Sequence, residues 1–264
     1  MSRPLITLTT DFGHGSPYVA QMKGVILSLC RDVDLIDITH AIGPQNIREG
    51  AVVLADATPR FPPDTLHVAV VDPGVGTNRR LIYAEIGGQR YLAPDNGLLS
   101  LLTSRDSPQQ LRALENAAHW LPDPSTTFHG RDILAPVAAH LALGIDSTEL
   151  GPPLDSLDSL DWPQPKRAGD AIYGEALYFD SFGNIVTNID RPLVESLGDR
   201  ARLSVSCGGQ VVSQLVATYA DAAPGELIVL FDSQGRLELA IVQGNATREL
   251  AIRAGVPVMV QRSP

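Results

Sequence analysis

The stretch VVDPGVGTNRR, residues 70–80, runs two valines of strand character straight into Asp72, followed by a proline, two glycines and the cations Arg79 and Arg80. A second stretch, STTFHGRD at 125–132, sets His129, Arg131 and Asp132 behind three hydroxyl residues. An acid, a fixed cation and an imidazole are the groups that orient water, move a proton and stabilise a developing anion. Other polar residues stand apart from these: Asp11, Asp95 and Asn96 in APDNG, Asp180 and Asn184 in FDSFGN, and Asn188 in TNI. Each has a plainer reading. Asp-Pro-Gly and Pro-Asp-Asn-Gly are turn sequences in which Asp bonds its own backbone. Ser125, Thr126 and Thr127 suit a helix cap, and Arg131 with Asp132 reads equally as a surface pair of little weight.

Several chemistries are poorly served. GHGSPY and DPGVGTNRR lack the third glycine of a dinucleotide fingerprint, and no GxxxxGK[ST] or GxSxG is present. A metal-dependent hydrolase built on Asp72, His129 and Asp132 would need more converging ligands, and no HxH or HxxxD pair supplies them. Cys30 and Cys207 form no CxxC or Cys/His cluster and read as two free buried thiols.

The elements that must position these residues alternate in the first half. PLITLTTDFG reads as a strand ending at Asp11. SPYVAQMKGVILSLC reads as a helix with Ser16-Pro17 at its start and Val19, Met22, Val25, Ile26 and Leu29 on one face. The strand DLIDITH, the helix NIREGAVVLADATPRF and the strand TLHVAVVDPG follow. RLIYAEIGGQRYLAP is a hairpin turning at Gly87-Gly88, and DILAPVAAHLALG is an apolar helix closed by Gly144. The alternation predicts an α/β domain over 1–150 with a largely parallel layered sheet, whose ligands bind at the carboxyl ends of its strands. Asp11 and Asp72 both stand there. The Pro-, Asp- and Ser-rich residues 151–169 read as a linker, and the short strands and turns of 170–264 as a small all-β, barrel-like domain.

With 264 residues, 44% apolar and 19% charged, the composition is that of a folded globular protein. A net charge of −10, with no Lys/Arg block beyond two adjacent residues, argues against a nucleic-acid partner. The start MSRPLITLTTDFG has no signal-peptide core, and no apolar run approaches the roughly 20 residues of a membrane helix. A cytoplasmic protein with no membrane partner is expected.

TTDFG, YVAQMKGVI, ITHAI, VAVVDPGVGTNRR, APDNGLLS, TFHGRDI, FGNIVTNI and NAT, in this order across nearly the whole chain, resemble the S-adenosyl-L-methionine (SAM) hydroxide adenosyltransferases. These are the adenosine-forming SAM hydrolases, relatives of the SAM-dependent fluorinase and chlorinase. The resemblance implies a homotrimer in which each site lies between the N-terminal domain of one subunit and the C-terminal domain of its neighbour. It implies hydrolysis of SAM to adenosine and methionine, with no cofactor and no metal. The family's Asp-Arg-His set falls on Asp72, Arg79 and His129; a shifted alignment would make Arg80 the cation, but spacing favours Arg79.

By the same resemblance, Asp11 binds the ribose hydroxyls and Asn184 the adenosine part. Ser233 and Glu238 face the methionine end, with Asp180 a further candidate for the amino group. The backbone around Ala246 meets adenine, and Ser16 and Tyr18 line the site. The halogenating relatives carry Tyr at the position of Asp72, another tyrosine in place of His129 and an extra loop. Asp and His here point to water as the nucleophile. A SAM- or adenosine-binding module without turnover, and a SAM-dependent halogenase, are the alternatives. For water the difficulty is its pKa of about 15.7, so hydroxide at pH 7 costs roughly 12 kcal/mol without help.

Overall fold

The computed structural model describes residues 3–198, 202–213 and 215–262, and divides into two compact units, Met1–Leu160 and Asp161–Pro264. In the first unit, strands β1 (Leu5–Thr10), β2 (Asp34–Thr39), β3 (Leu66–Val70), β4 (Leu81–Ile86), β5 (Gln89–Pro94) and β6 (Gln110–Ala113) form one sheet in the order β2-β1-β3-β5-β4-β6. β2, β1, β3 and β5 run parallel. β4 is antiparallel to both β5 and β6. The sheet is therefore mixed, which corrects the expectation of a largely parallel one. The cause is the Gly87-Gly88 turn: two residues between strands leave no room for a crossover, so the chain reverses and β4 pairs antiparallel.

Strand alternation divides the core between two faces of the sheet. Ile6, Leu8, Val68 and Val70 pack with Met22 and Ile26 of α1 (Tyr18–Leu29) and with α4 (Ala135–Ala142). Ala69, Val71, Ile82 and Ala93 pack with Leu54 of α2 (Ile47–Ala57) and Leu102 of α3 (Ser100–Arg105). A π-helical turn, Gly130–Leu134, leads into α4. Two expectations for α1 change. Leu29 is exposed, so the apolar face stops at Ile26. Ser16 does not cap the helix; its hydroxyl donates to the Phe12 carbonyl, and Pro17 holds the cap position without a side-chain bond.

Residues 152–160, inside the stretch that reads as a linker, are fastened to the first unit. Ala113 donates to the Pro152 carbonyl, Asp158 N–H to Asp95 Oδ1, and Leu160 N–H to Ser100 Oγ.

The second unit is a nearly closed antiparallel barrel. Its strands are β7 (Lys166–Ala168), β8 (Ala171–Phe179), β9 (Ile185–Asp190), β10 (Leu203–Cys207), β11 (Gln210–Val212), β12 (Leu227–Phe231), β13 (Arg236–Ile241) and β14 (Pro257–Arg262). They follow the order β11-β10-β14-β8-β9-β13-β12, with β7 on β8. Two short helices, α5 (Arg191–Glu195) and α6 (Ala246–Glu249), attach to it. Ile172, Ile185, Leu237, Leu239 and Val260 fill the interior. Cys30 and Cys207 are free and buried, as read from the sequence. No helix among the described residues is long and apolar enough to cross a membrane.

Candidate active site

β3 ends at Val70, and the next residues coil rather than continue. Val75 donates to the Asp72 carbonyl, and Thr77 donates to the Gly74 carbonyl through both its amide and its hydroxyl. These turns bring Arg79 back over Asp72. Arg79 Nε lies 2.7 Å from each Asp72 oxygen, and its Nη2 bonds Oδ2 as well. The two side chains are only 6% and 9% exposed, so this is a buried, bidentate pair.

Gly76 joins this loop to the histidine loop. A Cβ there would lie 2.6 Å from the Thr126 carbonyl, and its φ of +81° is one that side chains resist. His129, reached by that approach, places Nδ1 3.0 Å from Arg79 Nη2. A guanidinium only donates, so Nδ1 accepts and the neutral ring carries its proton on Nε2. Burial, then the Arg79 charge, hold the imidazole below its ordinary pKa, against the pull of Asp72 and Asp132. Arg80 is engaged elsewhere, with Nε 2.8 Å from buried Asp95, so the cation of this cluster is Arg79.

Arg131 and Asp132 form the neighbouring pair. Arg131 Nε lies 2.6 Å from Asp132 Oδ1, and the same guanidinium sits 5.0 Å from the Phe128 ring centre. Burial works to raise the Asp132 carboxyl, but Arg131 and the Ser125 amide outweigh it and hold the group below its ordinary range. Asp132 is thus a structural anchor of the histidine loop.

Asp72 and His129 line a cavity of about 430 Å³ together with Asp11, Tyr18, Gln21 and Arg131. Asp11 follows β1; its Oδ2 accepts from Gln45 N at 2.7 Å. Phe12, Tyr18 and Phe128 make an edge-to-face trio with centroids 5.2–5.7 Å apart on the same wall. Ser16, expected at the site, is turned to the Phe12 carbonyl and lies outside this lining. Phe12, Gln21 and Phe128 were not singled out from the sequence; Phe12 and Phe128 adjoin residues that were.

The second unit has its own cavity, about 720 Å³, lined by Asp180, Phe182, Asn184, Tyr219 and the 241–244 turn. Asp180 Oδ1 accepts from the Phe182 and Asn184 amides, while Asn184 Nδ2 donates to Asp180 Oδ2 at 2.9 Å. Tyr219, which no sequence motif points to, donates to Glu238 Oε1 at 2.7 Å. Glu238 is 3% exposed, and burial pushes its pKa up to about 7; the Tyr219 hydroxyl opposes this, and the Asp180 and Asp232 charges add to it. Ser233 is exposed on the β12–β13 turn, outside the cavity lining. Ala246 is fully buried at the first turn of α6, where Asn245 Oδ1 caps Arg248 N. Gly183 at φ +87° lets FGN and GNAT meet: a Cβ would fall 2.1 Å from the Asn245 side chain. Asn188 is structural, bonding Glu175 N and the Pro163 carbonyl. Among the described residues no group of three or more His, Cys, Asp or Glu is placed to hold a metal.

Residues 6–151 match the family model of the SAM hydroxide adenosyltransferase N-terminal domain, and residues 174–259 match that of the C-terminal domain. The chain is 39% identical to the (R)-S-adenosyl-L-methionine hydrolase of Salinispora tropica, over 96% of this chain and 95% of that one. It is 38% identical to the hydrolase of the same name from Thermus thermophilus, over 97% and 98%. A fluorinase of an Actinoplanes species is 29% identical over 98% of both chains. A crystal structure titled as an uncharacterized conserved protein from Thermotoga maritima superposes with a TM-score of 0.92 at 36% identity, over 97% of this chain and 100% of that one.

Proposed function

The chain belongs to the SAM hydroxide adenosyltransferase family, and on that premise we propose that Asp72, Arg79 and His129 activate a water that attacks C5′ of the SAM ribose. The chain is a SAM hydrolase that yields adenosine and L-methionine. The observation that carries the site reading is that Asp72 and His129 line one cavity with Asp11, while Arg79 bonds both of them from behind.

The leaving sulfur departs as a neutral thioether, so no general acid is required. The oxygen–C5′ bond forms as the C5′–sulfur bond breaks, and one water proton is released. His129 donates from Nε2 to the water oxygen, because its Nδ1 is occupied by Arg79. Asp72 has lone pairs beyond those Arg79 uses and accepts the proton. Arg79 supplies a permanent positive charge that favours the hydroxide form. Asp11, with Oδ2 held by Gln45, presents Oδ1 to a ribose hydroxyl. The aromatic trio forms an apolar wall of the same cavity.

On the second unit, Asn184 and Asp180 take the adenosine and amino groups, and Glu238, relayed by Tyr219, the methionine end. Ser233 and the backbone near Ala246 complete that set. A polar-lined cavity on each unit supports half-sites completed between copies of the chain, and the family resemblance supports a cytoplasmic homotrimer. Asp72 and His129 in place of the halogenases' tyrosines support water over halide. No resident cofactor or metal takes part in this reading.

Incubation with SAM in ¹⁸O-water, with and without EDTA, tests it. Equimolar methionine and adenosine labelled at the 5′ oxygen are expected, at the same rate with chelator. Methylthioadenosine or S-adenosylhomocysteine as main product, or unlabelled adenosine, overturns it.

A further inference from the structure

The ITH segment at 38–40 ends in a histidine that the chemistry above does not use. His40 is 4% exposed, just beyond β2. Its Nδ1 lies 2.9 Å from Thr10 Oγ1, at the end of β1. Its Nε2 lies 3.1 Å from Asp37 Oδ1, an ion-pair distance with the N–H off the line of a well-formed bond. Asp37 is in turn held by Lys23 Nζ at 2.6 Å. Burial works to raise the Asp37 carboxyl, and Lys23 and His40 together bring it below its ordinary value.

The inner end of this chain is the turn that carries Asp11. Thr10 Oγ1 accepts from Phe12 N at 3.2 Å, and the His40 carbonyl accepts from Gly13 N at 2.8 Å. His40 thus grips the residues on both sides of Asp11, once through its ring and once through its backbone. Thr10 is fully buried and His40 nearly so, and neither lines the cavity, so neither meets substrate.

We propose that His40 is a positioning residue: the Asp37–His40–Thr10 chain sets the 11–13 turn so that Asp11 meets the ribose in a single orientation. The proposal rests on Asp11 as the ribose ligand. With Nε2–H turned to Asp37, Nδ1 accepts from the Thr10 hydroxyl, and the Thr10 oxygen keeps a lone pair for Phe12 N. Without that acceptor the hydroxyl rotates, and the turn samples orientations in which Asp11 misses the ribose. The loss is one of binding and not of chemistry, because Asp72, Arg79 and His129 are untouched.

The test uses two substitutions that divide the ring's two atoms. An asparagine amide reaches the place of Nδ1, and a glutamine amide the place of Nε2. Adenosine affinity by calorimetry, and KM and kcat for SAM, are measured for His40→Asn, His40→Gln, Asp11→Ala and the double variant Asp11→Ala/His40→Gln, beside thermal melting. His40→Gln raises the adenosine Kd and the KM roughly three- to tenfold, the weight of one hydrogen bond, with kcat held within about twofold. His40→Asn restores near wild-type affinity. On the Asp11→Ala background His40→Gln adds nothing, since it acts through Asp11. Thr10→Val, which removes the hydroxyl alone, carries the same expectation should His40→Gln fail to fold. Equal losses from Asn and Gln, a full additional loss on the Asp11→Ala background, or a fall in kcat at constant KM overturns the positioning role. If Asp11→Ala binds adenosine like the wild type, the ribose assignment itself is wrong. If Asp11→Ala weakens binding while His40→Gln is silent, only the positioning role falls.

Discussion

Replacing Arg79 by alanine removes the charge that holds Asp72 and that, in the proposed mechanism, favours hydroxide, and each loss has an expected size. The first is structural. Asp72 is 6% exposed and has its two oxygens on the guanidinium, so Arg79→Ala leaves a buried carboxylate without its partner. Breaking such a pair costs about 3–5 kcal/mol, or roughly 6–20 °C in melting temperature for a unit of this size. The second is chemical: losing one preorganised electrostatic contact to the hydroxide lowers the rate about 10²- to 10³-fold. Affinity for SAM does not fall, because the ligand carries a sulfonium and gains nothing from a nearby cation. The double variant Asp72→Ala/Arg79→Ala separates the two jobs. It strands no charge, so its melting temperature recovers well above either single variant, while its rate stays as low, because the pair acts as a unit. The measurements are thermal melting, calorimetric SAM affinity and single-turnover hydrolysis of bound SAM. If Arg79→Ala loses affinity while bound SAM turns over at the wild-type rate, Arg79 is a ligand clamp and the assignment to the nucleophile is refuted.

Two further outcomes follow from the same structure. His67 on β3 is fully buried beside Thr7, and burial pushes its pKa from 6.5 down to about 4. The unfolded chain takes up this proton first, so the stabilisation is complete above pH 6.5 and is lost as pH falls toward 4, by roughly 3 kcal/mol; urea titrations of wild type and His67→Asn at pH 7 and pH 4 should show the wild type losing more. If sites are shared between copies, mixing inactive Asp72→Ala and Asn184→Ala chains after co-refolding restores part of the activity; no recovery in a mixture shown to exchange subunits would place both half-sites on one chain.

The sequence carried more of the first unit than of the second. Strand ends, turn residues and the 3.6-residue period are local signals, and they sufficed to put Asp11 and Asp72 where an α/β sheet keeps its ligands. The direction of β4 was also written locally, in Gly87-Gly88, but periodicity hides it, since parallel and antiparallel strands alternate alike. Ser16 misled because serine before proline suits a cap, and only tertiary contact decides that its hydroxyl turns back to Phe12.

What spacing could not supply is the pairing of remote segments. Arg79 and Arg80 are adjacent, and spacing only favoured Arg79; the structure puts Arg79 on Asp72 because successive residues leave a loop in different directions, and Arg80 turns to Asp95. Tyr219 lies 19 residues before Glu238 and 35 after Asn184 and joins them because β13 pairs with β9 on one side and, on the other, with β12, the strand that Tyr219 leads into. The resemblance to a family named residues on both units, but it did not distinguish a side chain that faces a cavity from one that is buried beneath it. Ala246 and Ser233 mark that limit: the first is fully buried and the second exposed on a turn, so whatever either offers a ligand is backbone or reach, while Glu238, bonded by Tyr219 beneath the cavity, has its pKa pushed up to about 7 by burial. A carboxyl poised there changes charge within the range in which an amino-acid ammonium stays protonated. On the proposal that Glu238 meets the methionine end of SAM, that end is gripped more tightly as pH rises through 7.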